Sequence, residues 1–326
     1  MPGINGFTLA AAFGGGLFGA AVGAFPAFIL CALSLVIGIV IALVTGDGSF
    51  LTLVTWGPFL GPQSAFVGGT AAAAFAARKG LLPSGRNILV PLLSLKSMPV
   101  LLVGGVFGLG GNFLAGLLIQ IPAEGPVPWI NPIALSVVFS GMLIRIIFGR
   151  TGLFGRIAGE ANRWSSLDKK DSFPWHLPIL PLFLISLMVS LIASIVVLLI
   201  PGSTGLIFGL SALSVVLLLG GVKIPIFFHM ALAGELYAAA TGDLWWGVTM
   251  GISAGLLGEF FARLFLIHGD THIDPPALSL TVICALSFPL LKLGLWRLPG
   301  FMALIFIGAA VLLSRFFPRS AKSLTT

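Results

Sequence analysis

Polar residues do not alternate with apolar ones along most of this chain; they punctuate it. Between the polar breaks lie eleven predominantly apolar stretches, at residues 7–24, 26–45, 58–77, 98–120, 131–148, 177–200, 204–221, 224–241, 245–267, 276–293 and 299–315. A helix of roughly 20 apolar residues spans a bilayer core. The pattern therefore predicts an all-α, polytopic integral membrane protein with about 11 transmembrane helices. Residues 7–24 and 58–77, rich in Gly and Ala, suit re-entrant segments as well as full spans. Pro178 and Pro181 fall where a helix would begin, the position at which proline costs least.

Composition agrees with that pattern. Charged residues make up 8% of the chain, apolar residues 58%, and mean hydropathy is +1.13. Soluble domains carry roughly 25% charged residues, and so few charges would not cover a water-facing globule of this size. The 43 glycines and 21 prolines suit closely packed and broken membrane helices. Cys31 and Cys284 lie inside apolar runs and read as packing residues. The opening MPGING has no basic cluster, so no cleaved secretory signal is expected.

The net charge of +7 is not a nucleic-acid signature, because its basic residues sit between apolar segments. Arg78, Lys79, Arg86 and Lys96 form one group; Arg150, Arg156, Arg163, Lys169 and Lys170 a second; Arg315, Arg319 and Lys322 a third. Eleven spans put all three groups on one side, assigned to the cytoplasm of a multi-pass plasma-membrane protein with a cytoplasmic C-terminus. Lys292 and Arg297 oppose this count.

Four short stretches recur in the same order. Ala32-Leu33-Ser34 resembles Ala212-Leu213-Ser214; PQSAFVGGTAAAAFAA resembles IPIFFHMALAGELYAAA, pairing Phe66 with Phe228 and Phe75 with Tyr237. GGNFLAGLLIQI resembles LGEFFARLFLIH, and Asn131-Pro132 with the residues after it resembles Asp274-Pro275. The expected organisation is one membrane domain over 1–326. It comprises a first repeat (7–150), a cytoplasmic basic loop (151–176), a second repeat (177–294) and an extra C-terminal helix (298–316). Five spans per repeat is an odd number, so the copies would be inverted, a recurrent plan among secondary transporters.

Ionisable residues within spans are costly and mark function. Glu235, six residues after His229, is a candidate proton or cation site, or else a protonated acid bonded to a backbone carbonyl. Glu259 and Arg263 have the favoured order for a helical ion pair. The repeat counterpart of Glu259 is Asn112, and the two could face each other across a pseudo-twofold axis or simply hold helices together. Gln63 and Ser64 close the segment from Trp56, which could open a half-helix whose free N–H groups favour anions or polar solutes, or be an ordinary loop. Arg145 and Arg263 read as snorkelling to a surface. In His268-Gly269-Asp270-Thr271-His272-Ile273-Asp274 four ionisable residues occupy every second position and would share one face if extended. They suit a divalent metal, the one cofactor this pattern admits, or a proton relay; the plain alternative is a polar turn with Asp274 capping the next helix.

The stretches AAFGGGLFGAAVGAFPAF, GPQSAFVGGTAAAAFAARKG and HGDTHIDPPA resemble an uncharacterised prokaryotic family of multi-pass membrane proteins, permease-like at most. That resemblance implies no substrate. No P-loop, G-x-S-x-G, H-E-x-x-H or C-x-x-C is present, so an enzyme or ATP-driven pump is not expected. The favoured expectation is a proton- or cation-coupled secondary transporter of a small polar solute or ion. Alternatives are a passive channel, a membrane-embedded metal-dependent enzyme built on the HGDTHID loop, and a non-catalytic subunit of a larger complex. Expected partners are the lipid bilayer and the solute, with a homo-oligomer left open and nucleic acid excluded.

Overall fold

The computed structural model describes residues 4–122, 129–157, 163–164 and 178–313. It is 72% helix, with no strand among the described residues. The helices are α1 (Gly6–Val22), α2 (Ala24–Thr45), α3 (Ala65–Arg78), α4 (Met98–Leu118), α5 (Pro132–Phe148) and α6 (Ile179–Leu199). They continue with α7 (Leu206–Leu213), α8 (Val216–Leu219), α9 (Phe228–Thr241), α10 (Leu244–Phe261), α11 (Pro275–Lys292) and α12 (Gly300–Leu313). Every apolar stretch carries a helix, and α2, α4, α6 and residues Leu244–Leu266 are long and apolar enough to cross a membrane. Lys169 and Lys170, and the tail residues Arg315, Arg319 and Lys322, lie outside the described residues, as does most of the 151–176 loop.

Local chemistry sets the helix boundaries. Asn5 opens α1 with a capping box, accepting from Thr8 N–H at 3.0 Å while its own N–H donates to Thr8 Oγ1 at 2.9 Å. Gly23, at φ 97°, separates α1 from α2. Asn131 and Asp274 cap α5 and α11, accepting from Ala134 N–H at 3.0 Å and Ala277 N–H at 2.8 Å, each followed by proline in the first turn. Asp243 serves two helix starts, accepting from Trp245 N–H in α10 and from Gly300 N–H in α12.

Two segments depart from the simple span pattern. Residues 58–64 form a turn, and only 65–77 of the predicted 58–77 stretch is helical. Its backbone keeps bonding through the turn: Ala65 N–H donates to Gly61 O, Val67 N–H to Pro62 O and Gly68 N–H to Ser64 O. Three of the amides at this helix start are therefore already used, as in an ordinary loop-to-helix entry. The 204–221 stretch breaks after Leu213, and α10 runs on as a π-helical turn over Ala262–Leu266.

Helix pairing follows one scheme twice. α1, α3 and α4 pack against one another, as do α6, α9 and α10. α5 lies on α3 and α4 where α11 lies on α9 and α10; α2 touches α3 where α7 touches α9. The two groups meet through α2 with α7 and α5 with α11. α5 and α11 run in opposite senses: Trp129, just before α5, packs on Phe288 near the end of α11, whereas Arg145 near the end of α5 bonds Thr271 just before α11.

Close approach depends on small residues. A Cβ on Gly16 of α1 would stand 2.2 Å from Gly104 O of α4, and one on Gly251 of α10 would stand 2.2 Å from Ser190 Cβ of α6. Large apolar side chains instead face outward: Phe7, Val44, Ile146 and Leu199 are exposed. Small residues inside and bulky apolar residues outside suit a hydrocarbon surrounding.

Candidate functional site

Between the two groups of helices lies a cavity of about 640 Å³. One wall is made by Phe25, Phe28 and Phe66 with the start of α5, the other by Phe208, Phe228 and Leu232 with the start of α11. Rings hold the walls together. Phe28 lies 6.1 Å from Phe66 and 5.0 Å from Phe228, so the first turns of α3 and α9 converge on one side chain of α2. Phe208 completes the set at 5.7 Å from Phe228. The rim is exposed at Thr52 and Gln120, while the floor is buried at Asp274.

Asp274 reaches that floor, and His272 lies beside it. His272 Nε2 and Asp274 Oδ1 are 3.2 Å apart, and the imidazole packs edge-on against Phe25 and Phe66 at 6.1 and 5.8 Å. The same pair lines a second void of about 40 Å³, shared with His229, Glu259 and Met230. A space of that size admits an ordered water. His229 is 4% exposed, and neither of its ring nitrogens has a hydrogen-bond partner among the described residues. Gly258 passes so close that a Cβ there would stand 2.6 Å from His229 Nε2.

Beyond the floor the molecule is closed by polar bonds. Arg145 is 1% exposed rather than reaching for a surface. Its guanidinium donates to Thr271 Oγ1 at 2.9 Å, to Leu153 O at 3.0 Å and to the carbonyls of Phe265 and Thr271. Five fixed donors match this ring of carbonyls. Asp270 accepts from Arg150 N–H at 2.6 Å and from Thr151 Oγ1 at 2.8 Å. Arg86 donates to Ile267 O, and His268 O accepts from Arg156 N–H. Arg86, Arg150 and Arg156 thus gather at one end, around the start of the loop 268–274.

The four ionisable residues of that loop do not share one site. His272 and Asp274 do meet, but Asp270 turns to the Arg150 N–H and the Thr151 hydroxyl, and His268 lies in the preceding turn. Among the described residues no three His, Cys, Asp or Glu side chains converge as metal ligands would.

The other predicted site residues take separate places. Glu235 is fully buried and caps α7: its carboxylate oxygens accept from Ile207 N–H at 2.7 Å, Gly205 N–H at 3.0 Å and Phe208 N–H at 3.4 Å. It bonds N–H donors, not the carbonyl expected of a protonated acid. Gln63 is buried and ties its turn, donating to Trp56 O at 3.0 Å and Gly57 O at 3.3 Å. Ser64 beside it is also buried, and only Pro62 of that turn reaches the cavity. Asn112 is buried on α4 among the first group of helices, and Glu259 lies at the small void. Glu259 and Arg263 do form their ion pair, at 2.6 Å.

Sequence reasoning passed over Phe25, Phe28 and Phe208, because phenylalanine in an apolar run carries no distinguishing signal. It also misread Arg145, whose partners lie 8 to 126 residues away. A better signal was the pairing of Asn131-Pro132 with Asp274-Pro275, since both caps line the cavity.

A family model, described as a family of unknown function (DUF7973), matches the chain over residues 4–172 and 173–300. No curated protein and no solved structure matches it. By the extent of that match, the chain belongs to the DUF7973 family, as the resemblance to an uncharacterised family anticipated.

Proposed function

We propose that this chain is a multi-pass membrane protein and a secondary transporter of a small organic solute, driven by a proton or cation gradient. On this reading residues 7–150 and 177–294 are inverted five-helix repeats, with α12 added at the end. The observation that carries it is a cavity walled by both helix groups, with exposed Thr52 and Gln120 at its rim and the Arg145 bonds beyond Asp274. The doubled pairing scheme, the opposed α5 and α11, and the matched caps Asn131 and Asp274 support the inverted repeat. So does the family match, whose two stretches part at residue 172. Short helices whose starts converge on a central cavity are a transporter device, and α3 and α9 do so around Phe28.

The cavity's lining shifts the expected solute. Aromatic and aliphatic faces dominate it, and polar groups are few, which suits an organic molecule better than a bare ion. His229, His272 and Glu259 around the small void offer the driving proton a place beside the solute. The closed end speaks against a continuously open channel.

The test is sided labelling in vesicles, in a background with Cys31 and Cys284 replaced by serine. With membrane-impermeant thiol reagents, Gln120→Cys should react from one face and Arg150→Cys from the other. Ala277→Cys, at the cavity floor, should react from both faces in turn. Reactivity of Gln120→Cys and Arg150→Cys from the same face, or of Ala277→Cys from one face alone, would remove the carrier reading.

A further inference from the structure

The caps of α5 and α11 occupy matching places, yet one is neutral and the other acidic. A cap needs only an acceptor oxygen, and asparagine provides it as well as aspartate. Asn131 does so at 3.0 Å in the first half, and Asp274 at 2.8 Å in the second. The capping bond therefore does not require the charge of Asp274, although a helix start favours it. It is also expensive, because the residue is 9% exposed and a carboxylate withdrawn from water must be compensated. Its partners are the Ala277 N–H and His272, and it still borders the large cavity.

What surrounds that carboxylate narrows the ligand. Among the described residues lining the large cavity there is no Lys or Arg, and Asp274 is the sole carboxylate. Aromatic faces from Phe25, Phe28, Phe66, Phe208 and Phe228 border the same space. A positive charge is attracted both to a carboxylate and to the faces of aromatic rings. An anion would find no cationic side chain among the described lining residues, and the Ala65, Val67 and Gly68 amides at the start of α3 are already bonded within the preceding turn. A bare metal ion would need several strong ligands, and among the described residues no three His, Cys, Asp or Glu side chains converge. A volume of about 640 Å³ is that of a small-molecule site.

We propose that the cavity binds an organic monocation, its charge held at Asp274 and its apolar body among the Phe28, Phe66 and Phe228 rings. This deepens the transporter reading by naming its solute class, and it rests on that reading only for the direction of movement.

Binding can be measured without transport. Wild-type protein in nanodiscs is titrated with tetraphenylphosphonium and, separately, with tetraphenylborate, which has the same shape and the opposite charge; empty nanodiscs supply the lipid background. Saturable binding of the cation alone is expected. Asp274→Asn, which retains a capping oxygen as Asn131 does, should weaken it by at least roughly tenfold, with an unchanged helical spectrum and a monodisperse profile. Equal binding of both probes, or no saturable binding of the cation, overturns the proposal on wild-type protein, whatever the variant does. Undiminished cation binding in Asp274→Asn overturns it as well. Failure here with the sided labelling intact would leave a carrier for another solute; failure of the labelling with cation binding intact would leave a binding protein.

Discussion

At the scale of single residues, the molecule uses its few buried charges as bonds to backbone. Glu235 accepts three N–H groups at the start of α7, and Arg145 satisfies carbonyls from three segments. A helix start welcomes a carboxylate because its unpaired amides and dipole both favour negative charge there. Glu235→Gln places an NH₂ group among donors, so it should cost about 2 kcal/mol of stability. Thermal unfolding in detergent would report that loss, and hydrogen exchange at Gly205, Ile207 and Phe208 should quicken. Unchanged exchange would show that α7 does not depend on this side chain, and would return Glu235 to the role of a titrating site. Residue-level reasoning from the sequence was uneven for a physical reason. Caps at Asn131 and Asp274 and the Glu259–Arg263 pair involve neighbours three or four residues apart, and these were legible. The expected common face of the 268–274 loop was met for His272 and Asp274 only, because Arg150 and Thr151, brought close by the fold, offered Asp270 better bonds.

At the scale of elements, small residues decide how near two helices come, and hence whether the cavity walls meet. Gly16 and Gly14 make the contrast. A Cβ on Gly16 would meet Gly104 O at 2.2 Å, whereas one on Gly14 meets nothing within 4 Å. Gly16→Ala should therefore lower stability by roughly 1–3 kcal/mol through overpacking, while Gly14→Ala should be neutral or slightly stabilising, as Ala favours helix over Gly. Parallel thermal melts of the two variants check this; equal behaviour would mean that α1 and α4 do not cross where the structure has them. In the second half serine takes over the contact, with Ser186, Ser190 and Ser194 of α6 facing Gly255, Gly251 and Gly247 of α10. The same close crossing is built twice with different small residues, which explains why sequence similarity between the halves is faint although the pairing scheme is shared.

At the scale of the whole molecule, the two ends of the cavity are unlike. One opens past Thr52 and Gln120; the other is sealed where α5, the π-turn after α10 and the loop before α11 are joined through Arg145. If the closed end must open for solute to pass, those bonds set the balance between two states. Arg145→Met removes every donor while keeping much of the side-chain volume. In the labelling assay it should speed the reaction of Ala277→Cys from the Arg150 face by roughly tenfold or more, since each hydrogen bond from a charged group is worth about 1.5–3 kcal/mol. An unchanged rate would mean that the seal lies elsewhere.

Run length, charge spacing and cap chemistry are properties of neighbouring residues, and from them the positions of the helices, their all-α character and the matched starts of the two halves could be read along the chain. The aromatic cavity, the burial of Arg145, the capture of α7 by Glu235 and the place of His229 beside the small void could not. Each depends on segments tens to more than a hundred residues apart, and a linear pattern records which residues are apolar or charged without recording which of them the packing of helices will bring face to face.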